Sequence, residues 1–102
     1  PFESVPLLIQ NVIFENGKTF APSLDEEIYF VLETNRITEF DVKIFDLDGK
    51  FIAYADENSE SLNWKWNGKN KNGNLVPFGI YILYFITDSG ELSHKEAGVV
   101  IK

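Results

Sequence analysis

Residues 64–85, W-K-W-N-G-K-N-K-N-G-N-L-V-P-F-G-I-Y-I-L-Y-F, constrain this chain more than any other stretch. They join a short strand carrying two tryptophans to the longest apolar strand in the sequence, through a loop rich in Asn and Gly. Asn67-Gly68 and Asn72-Gly73 each end on a residue that takes φ > 0 without steric cost, so each can reverse the chain tightly. Pro77 stiffens the approach to the next strand, and Gly79 lets the backbone enter it where a Cβ would obstruct. Trp64 and Trp66 are two apart and so share one face of their strand.

The rest of the chain reads as further strands between turns. A first strand over residues 5–14 holds Leu7, Leu8, Ile9, Val12, Ile13 and Phe14, with Pro6 suited to an edge that can spare a donor. Glu15-Asn16-Gly17-Lys18 is a turn, and Phe20-Ala21-Pro22-Ser23 with Asp25-Glu26-Glu27 reads as a polar loop. Ile28, Phe30 and Leu32 alternate with Tyr29, Val31 and Glu33, as do Phe40, Val42 and Ile44 with Asp41, Lys43 and Phe45. Asp46-Leu47-Asp48-Gly49 closes a hairpin whose second arm is Phe51-Ile52-Ala53-Tyr54. A polar connection over 56–61 leads to strand 62–66, and strands 80–87 and 95–101 follow, separated by Asp88-Ser89-Gly90.

Seven strands with turns of Gly, Pro, Asn and Asp predict an all-β fold: a single antiparallel sandwich domain, Ig-like or fibronectin-III-like, over residues 1–102. Its core is expected to hold Phe40, Val42, Ile44, Ile52, Trp66 and alternate residues of the 80–87 strand. That strand is apolar on both faces. Either it is central and covered on both sides, or its outer face, with Ile82 and Tyr84, meets another domain or chain. Trp64 is expected at the rim, partly buried, and joins Ile82 and Tyr84 as a possible interaction surface.

Composition excludes several function classes. A net charge of −7, from 16 acidic and 9 basic residues, repels nucleic acid and anionic membrane surfaces. With no Cys there is neither a disulfide framework nor a thiolate metal site. No segment is apolar for the roughly 20 residues that a spanning helix needs. The opening Pro1-Phe2-Glu3 reads as the interior of something longer, so the chain is expected to be a domain of a larger protein, a monomer when isolated.

The residues offer little reactive chemistry. His94 is the only histidine, so neither a His-pair metal site nor H-E-x-x-H can form. No G-x-S-x-G elbow supports a triad, and His94 is expected on the solvated surface. Asp46-x-Asp48-Gly49 is a fragment of a calcium loop that lacks the later ligands, so a plain hairpin is expected there and at Asn70, Asn72 and Asn74. Trp64, Tyr54, Tyr81 or Tyr84 could alternatively form a flat platform for sugar rings. The expectation is a domain that is not an enzyme and holds no cofactor.

Four segments in order also carry a family likeness. Residues 42–50 (V-K-I-F-D-L-D-G-K), Trp66-Asn67-Gly68-Lys69-Asn70, residues 72–77 (N-G-N-L-V-P) and Gly79-Ile80-Tyr81 resemble the Ig-like domain named for the flagellar hook-capping protein FlgD. The same pattern recurs as a C-terminal module of bacterial secreted and surface proteins. Phe20-Ala21-Pro22-Ser23 is similar to the family's upstream F-S-P-N segment, so the likeness runs from about residue 20 to 102. Asn67 stands where the family usually has Asp. The resemblance assigns Asp46, Gly49, Trp66, Asn67, Gly68, Gly73, Pro77, Gly79 and Tyr81 to the structural motif. It implies a non-catalytic spacer, interaction or sorting domain of an extracellular or surface protein, partnered by adjacent domains or another protein. A hook-assembly scaffold is the alternative it leaves open. The ending Gly98-Val99-Val100-Ile101-Lys102 is similar to the final strand of type IX sorting signals.

Overall fold

The structure, a computed structural model, describes residues 8–35, 38–58, 62–90 and 92–101. Nine strands run through them: β1 Ile9–Phe14, β2 Thr19–Phe20, β3 Ile28–Thr34, β4 Phe40–Phe45, β5 Phe51–Tyr54, β6 Asp56–Glu57, β7 Asn63–Trp66, β8 Gly79–Thr87 and β9 Ser93–Val100. One sheet has the order β1-β3-β7-β6 and the other β2-β9-β8-β4-β5. The two form a β-sandwich whose partition of strands matches that of an immunoglobulin-type domain. The seven strands expected from periodicity are β1, β3, β4, β5, β7, β8 and β9. Residues 5–7 of the expected first strand, and 59–61 of the expected polar connection, lie outside the described residues.

Two short strands depart from expectation. Phe20-Ala21-Pro22 is buried, not an exposed polar loop. Thr19 and Phe20 run parallel to Val99 and Val100, so the sheets are not purely antiparallel. Asp56 and Glu57 pair with Lys65 and Trp64. Neither two-residue strand has a pattern of its own; each exists because a longer neighbour offers it an edge.

Between the sheets lies an aromatic core. Phe30 on β3 meets Phe85 on β8 edge to face at 5.5 Å, and Trp64 on β7 meets the same Phe85 at 5.7 Å. Trp66 packs against Tyr81 at 5.5 Å and Phe20 at 5.6 Å, and its Nε1 donates to the Lys69 carbonyl at 2.9 Å. Trp64 is only 2% exposed. The rim position expected for it is wrong: both indoles point inward, and the core extends the full length of β7.

Two connections are the same pentapeptide turn used twice. In Asp46-Leu47-Asp48-Gly49-Lys50 the Asp46 Oδ1 accepts from the Asp48 and Lys50 amides, both at 2.9 Å. In Asn70-Lys71-Asn72-Gly73-Asn74 the Asn70 Oδ1 accepts from the Asn72 and Asn74 amides, at 2.9 and 3.0 Å. Gly49 and Gly73 share φ of +84°. What the turn requires of its first residue is one acceptor oxygen, charged or not. Asp46→Asn should therefore change stability by less than about 0.5 kcal/mol, and Asp46→Ala should cost about 1–2 kcal/mol, read from urea denaturation midpoints.

The glycines of the central loop divide by cause. At Gly68, with φ of +76°, an added Cβ would lie 2.2 Å from Pro22 Cγ. At Gly79 φ is +148° and no atom lies within 4 Å of an added Cβ, so conformation, not the expected obstruction, calls for glycine.

Candidate functional site

The two outer faces of the sandwich differ. On the four-stranded sheet, alternation turns Tyr29, Val31, Glu33, Asn63 and Lys65 outward, with exposed Ile13 of β1 beside Val31, a mixed set. On the five-stranded sheet the outward residues of β8 are Ile80, Ile82, Tyr84 and Ile86, since Tyr81, Leu83, Phe85 and Thr87 are buried. β8 is central, as one sequence reading expected, yet its outer face is not shielded by its own loops: Ile80 is 46% exposed.

Cross-strand register assembles this face into rows, because partners in an antiparallel pair project to the same side. Tyr54 pairs with Lys43, Lys43 with Tyr84, and Tyr84 with Lys95. In the adjacent row Phe51 pairs with Phe45, Phe45 with Ile82, and Ile82 with Ala97. A β-bulge between Ile44 and Phe45 shifts the register, which brings Phe51 beside Phe45. Rings join within and across the rows: Phe45 to Phe51 at 5.9 Å within one row, and Phe45 to Tyr84 at 6.1 Å and Phe51 to Tyr54 at 5.2 Å between them. The Lys95 ammonium sits 5.7 Å from the Tyr84 ring centroid.

A depression of about 380 Å³ opens in this face, lined by Phe45, Asp46, Leu47, Gly49, Ile82, Tyr84 and Lys95. Of the three residues expected to form an interaction surface, Ile82 and Tyr84 lie here and Trp64 is in the core on the opposite side of β8. Phe45, Phe51 and Tyr54 complete the surface; of these the sequence had singled out Tyr54 alone, and for a sugar platform, not for this surface. The only signal for them was that Phe45 and Tyr54 fall on the outward period of their strands; the bulge that recruits Phe51 left none.

The flat platform considered for sugar rings is not formed. The successive ring pairs are inclined at 71°, 72° and 66°, so the cluster presents edges and hollows, not a flat platform. Trp64 and Tyr81, the other rings considered for that role, are buried.

Tyr81 serves the fold. At the start of β8 its hydroxyl donates to the Pro77 carbonyl at 2.7 Å, four residues upstream, the arrangement of an immunoglobulin-type tyrosine corner. Burial, followed by the Asp46 charge, raises the phenol above its ordinary range, so it remains a donor at neutral pH. Tyr81→Phe should lower stability by about 1 kcal/mol, seen as a lower urea midpoint with an unchanged slope. The remaining motif residues are structural in the same sense: the Asn67 Oδ1 accepts from the Lys69 amide at 3.0 Å, an acceptor that amide and carboxylate supply equally.

His94 is half-buried, not solvated as expected. Its Nε2 is 2.5 Å from Glu96 Oε2, and Lys18 Nζ holds the other Glu96 oxygen at 3.0 Å. Burial alone would raise the Glu96 carboxyl, but the His94 and Lys18 hydrogen bonds outweigh it and hold it below the usual carboxylate range. The Lys18–Glu96 ion pair ties the β1–β2 turn to β9, and His94 hydrogen-bonds the same carboxylate. Among the described residues no group of three His, Asp or Glu could hold a metal, and no helix is long and apolar enough to cross a membrane.

No family model matches this chain, and no curated protein matches it. Among solved structures it is similar to PorZ, an essential bacterial surface component of the type IX secretion system of the human oral-microbiomic Porphyromonas gingivalis. The TM-score is 0.65 at 21% identity over 89% of this chain. This chain spans 11% of the PorZ chain. At that identity the likeness establishes the fold, a β-sandwich of a kind that occurs as one small part of a much longer protein.

Proposed function

We propose that this chain is a non-catalytic domain of a larger bacterial secreted or surface protein, and that it works by docking the outer face of its five-stranded sheet against a neighbouring domain or protein. The observation that carries this reading is the asymmetry of the sandwich. One outer face is mixed, and the other gathers Phe45, Phe51, Tyr54, Ile80, Ile82 and Tyr84 into one apolar patch. A contiguous apolar patch on an outer face supports an interaction surface. Location at the cell surface is supported by the fold's occurrence within a type IX secretion surface component. It is supported also by the resemblance of residues 42–50, 66–70, 72–77 and 79–81 to the hook-capping Ig-like family. The absence of catalysis in this proposal rests on where the polar groups are spent: His94, Glu96 and Lys18 pair with one another, and the Asp46 and Asn70 side chains close turns.

The test is made in the full-length protein with Ile82→Arg and Tyr84→Arg, which charge the outer face and leave the buried side of β8 intact. Fractionation of cells and medium should show the parent protein detached from its normal location or assembly, with the domain still folded by circular dichroism. Retention identical to wild type would reject the docking role.

A further inference from the structure

Three asparagines in this chain are followed by glycine: Asn16-Gly17, Asn67-Gly68 and Asn72-Gly73. We infer that the two solvated pairs, Asn16-Gly17 and Asn72-Gly73, are sites of spontaneous deamidation through a succinimide, and that the fold holds Asn67-Gly68 intact.

The chemistry is internal to each pair. The backbone nitrogen of the glycine attacks the asparagine Cγ, the Cγ–Nδ2 bond breaks, and the side-chain nitrogen leaves as ammonia with the proton of the glycine amide. Water then adds to one of the two ring carbonyls. Addition on one side opens the ring to aspartate; on the other it gives isoaspartate, whose main chain runs through the side-chain carbon. One water is consumed, one ammonia is released, and nothing is oxidised or reduced. Glycine is the most permissive residue to follow the asparagine, because no Cβ hinders its nitrogen or its swing into the attack geometry.

Structure separates the three pairs. Asn16, Gly17, Asn72 and Gly73 are all exposed, and no atom lies within 4 Å of a Cβ built on either glycine. Neither asparagine side chain is held by a hydrogen bond among the described residues. The Gly17 amide donates to the Phe14 carbonyl at 3.4 Å, and the Gly73 amide to the Asn70 carbonyl at 2.9 Å. Attack therefore waits on one turn bond, and the local opening of an exposed turn costs little. Asn67-Gly68 is fixed on every side. The Asn67 Oδ1 accepts from the Lys69 amide at 3.0 Å, and the carbonyl of buried Gly68 accepts from the Val76 amide at 2.9 Å. Pro22 packs so closely there that an added Cβ would lie 2.2 Å from its Cγ. Ring closure at this pair would twist a backbone that is both bonded and packed.

The two products act differently on the fold. Aspartate at position 72 would reproduce Asp48-Gly49 of the twin turn, which already carries a carboxylate there. Isoaspartate would lengthen the main chain between Asn70 and Asn74, whose contact through the Asn70 Oδ1 sets that turn. At position 16 the extra atom falls just ahead of Lys18. The Lys18 carbonyl accepts from the Val99 amide at 2.7 Å and its ammonium holds Glu96, so isoaspartate there loosens the clasp of β2 on β9.

Peptide mapping by mass spectrometry tests this on the chain incubated in mildly alkaline buffer, folded and, in parallel, unfolded in guanidinium chloride. Unfolded, all three pairs should convert at similar rates, which fixes the intrinsic chemistry. Folded, Asn16 and Asn72 should stay within about tenfold of those rates, and Asn67 should fall about a hundredfold or more below its own. Isoaspartate, scored by labelling with isoaspartyl methyltransferase, should appear at positions 16 and 72. It should vanish from the folded double variant Asn16→Gln and Asn72→Gln, whose longer side chains close the larger ring far more slowly. Folded-state conversion at Asn67 as fast as at Asn16 or Asn72, protection of Asn16 or Asn72 as deep as that of Asn67, or isoaspartate at the wild-type level in the double variant would overturn the inference.

Discussion

Trp66→Ala is expected to lower the free energy of unfolding by about 3–5 kcal/mol, the range for emptying a large aromatic from a packed core. The indole is buried between Phe20, on the parallel strand β2, and Tyr81, at the start of β8. Its Nε1 holds the Lys69 carbonyl, so its removal also loosens the loop that leads to β8. Trp64→Ala should fall in the same range, since that ring is as deeply buried and packs on Phe30 and Phe85. Lys65→Ala, between the two on the outward side, should stay within about 0.5 kcal/mol. Chemical denaturation of the three variants decides it; a near-neutral Trp66→Ala would mean that the sheets do not close on this ring.

Gly68→Ala is expected to cost about 3 kcal/mol or more, although it adds a single methyl group. Two penalties coincide there. A non-glycine residue at φ of +76° costs roughly 1–2 kcal/mol, and the new Cβ would lie 2.2 Å from Pro22 Cγ and 2.7 Å from Pro22 Cβ. The proline ring is buried and rigid, so it cannot swing aside as a flexible side chain would. Gly73→Ala is the matched control: φ is +84° and the site is open, so only the conformational cost of about 1–2 kcal/mol applies. Equal losses at both positions would show that the Pro22 contact does not limit the fold.

These two residues also mark where sequence reasoning reaches and where it stops. Period two located β3 and β4, because each has one face buried and the alternation Phe40, Val42, Ile44 has no other use; apolar runs between turn signals located the other long strands. Asn-Gly and Asp-Gly located the turns, since a positive φ is a local demand that local chemistry meets. Gly68 was legible as a turn glycine, but its clash with Pro22 involves a residue 46 positions away and leaves no local trace. The two-residue strands β2 and β6 escaped for the same reason, as did the burial of Phe20-Ala21-Pro22. Trp64 was misplaced because spacing fixes which face a side chain takes, not how far along that face the core extends. The candidate site was half legible: Ile82 and Tyr84 stood out because β8 is apolar on both sides. Their neighbours Phe45, Phe51 and Tyr54 became a surface only through cross-strand register and a bulge, which a sequence without its pairing does not specify.

Covalent footprinting of Tyr54 and Tyr84, in the isolated chain and in the full-length protein under native conditions, tests the central claim most directly. Tyr54 is 57% exposed and should label readily in the isolated chain. If the five-stranded face is the docking surface, both tyrosines become protected in the full-length protein, while Lys65 on the opposite face labels equally in both. Equal labelling of the tyrosines in the two samples, or protection confined to Lys65, would contradict it.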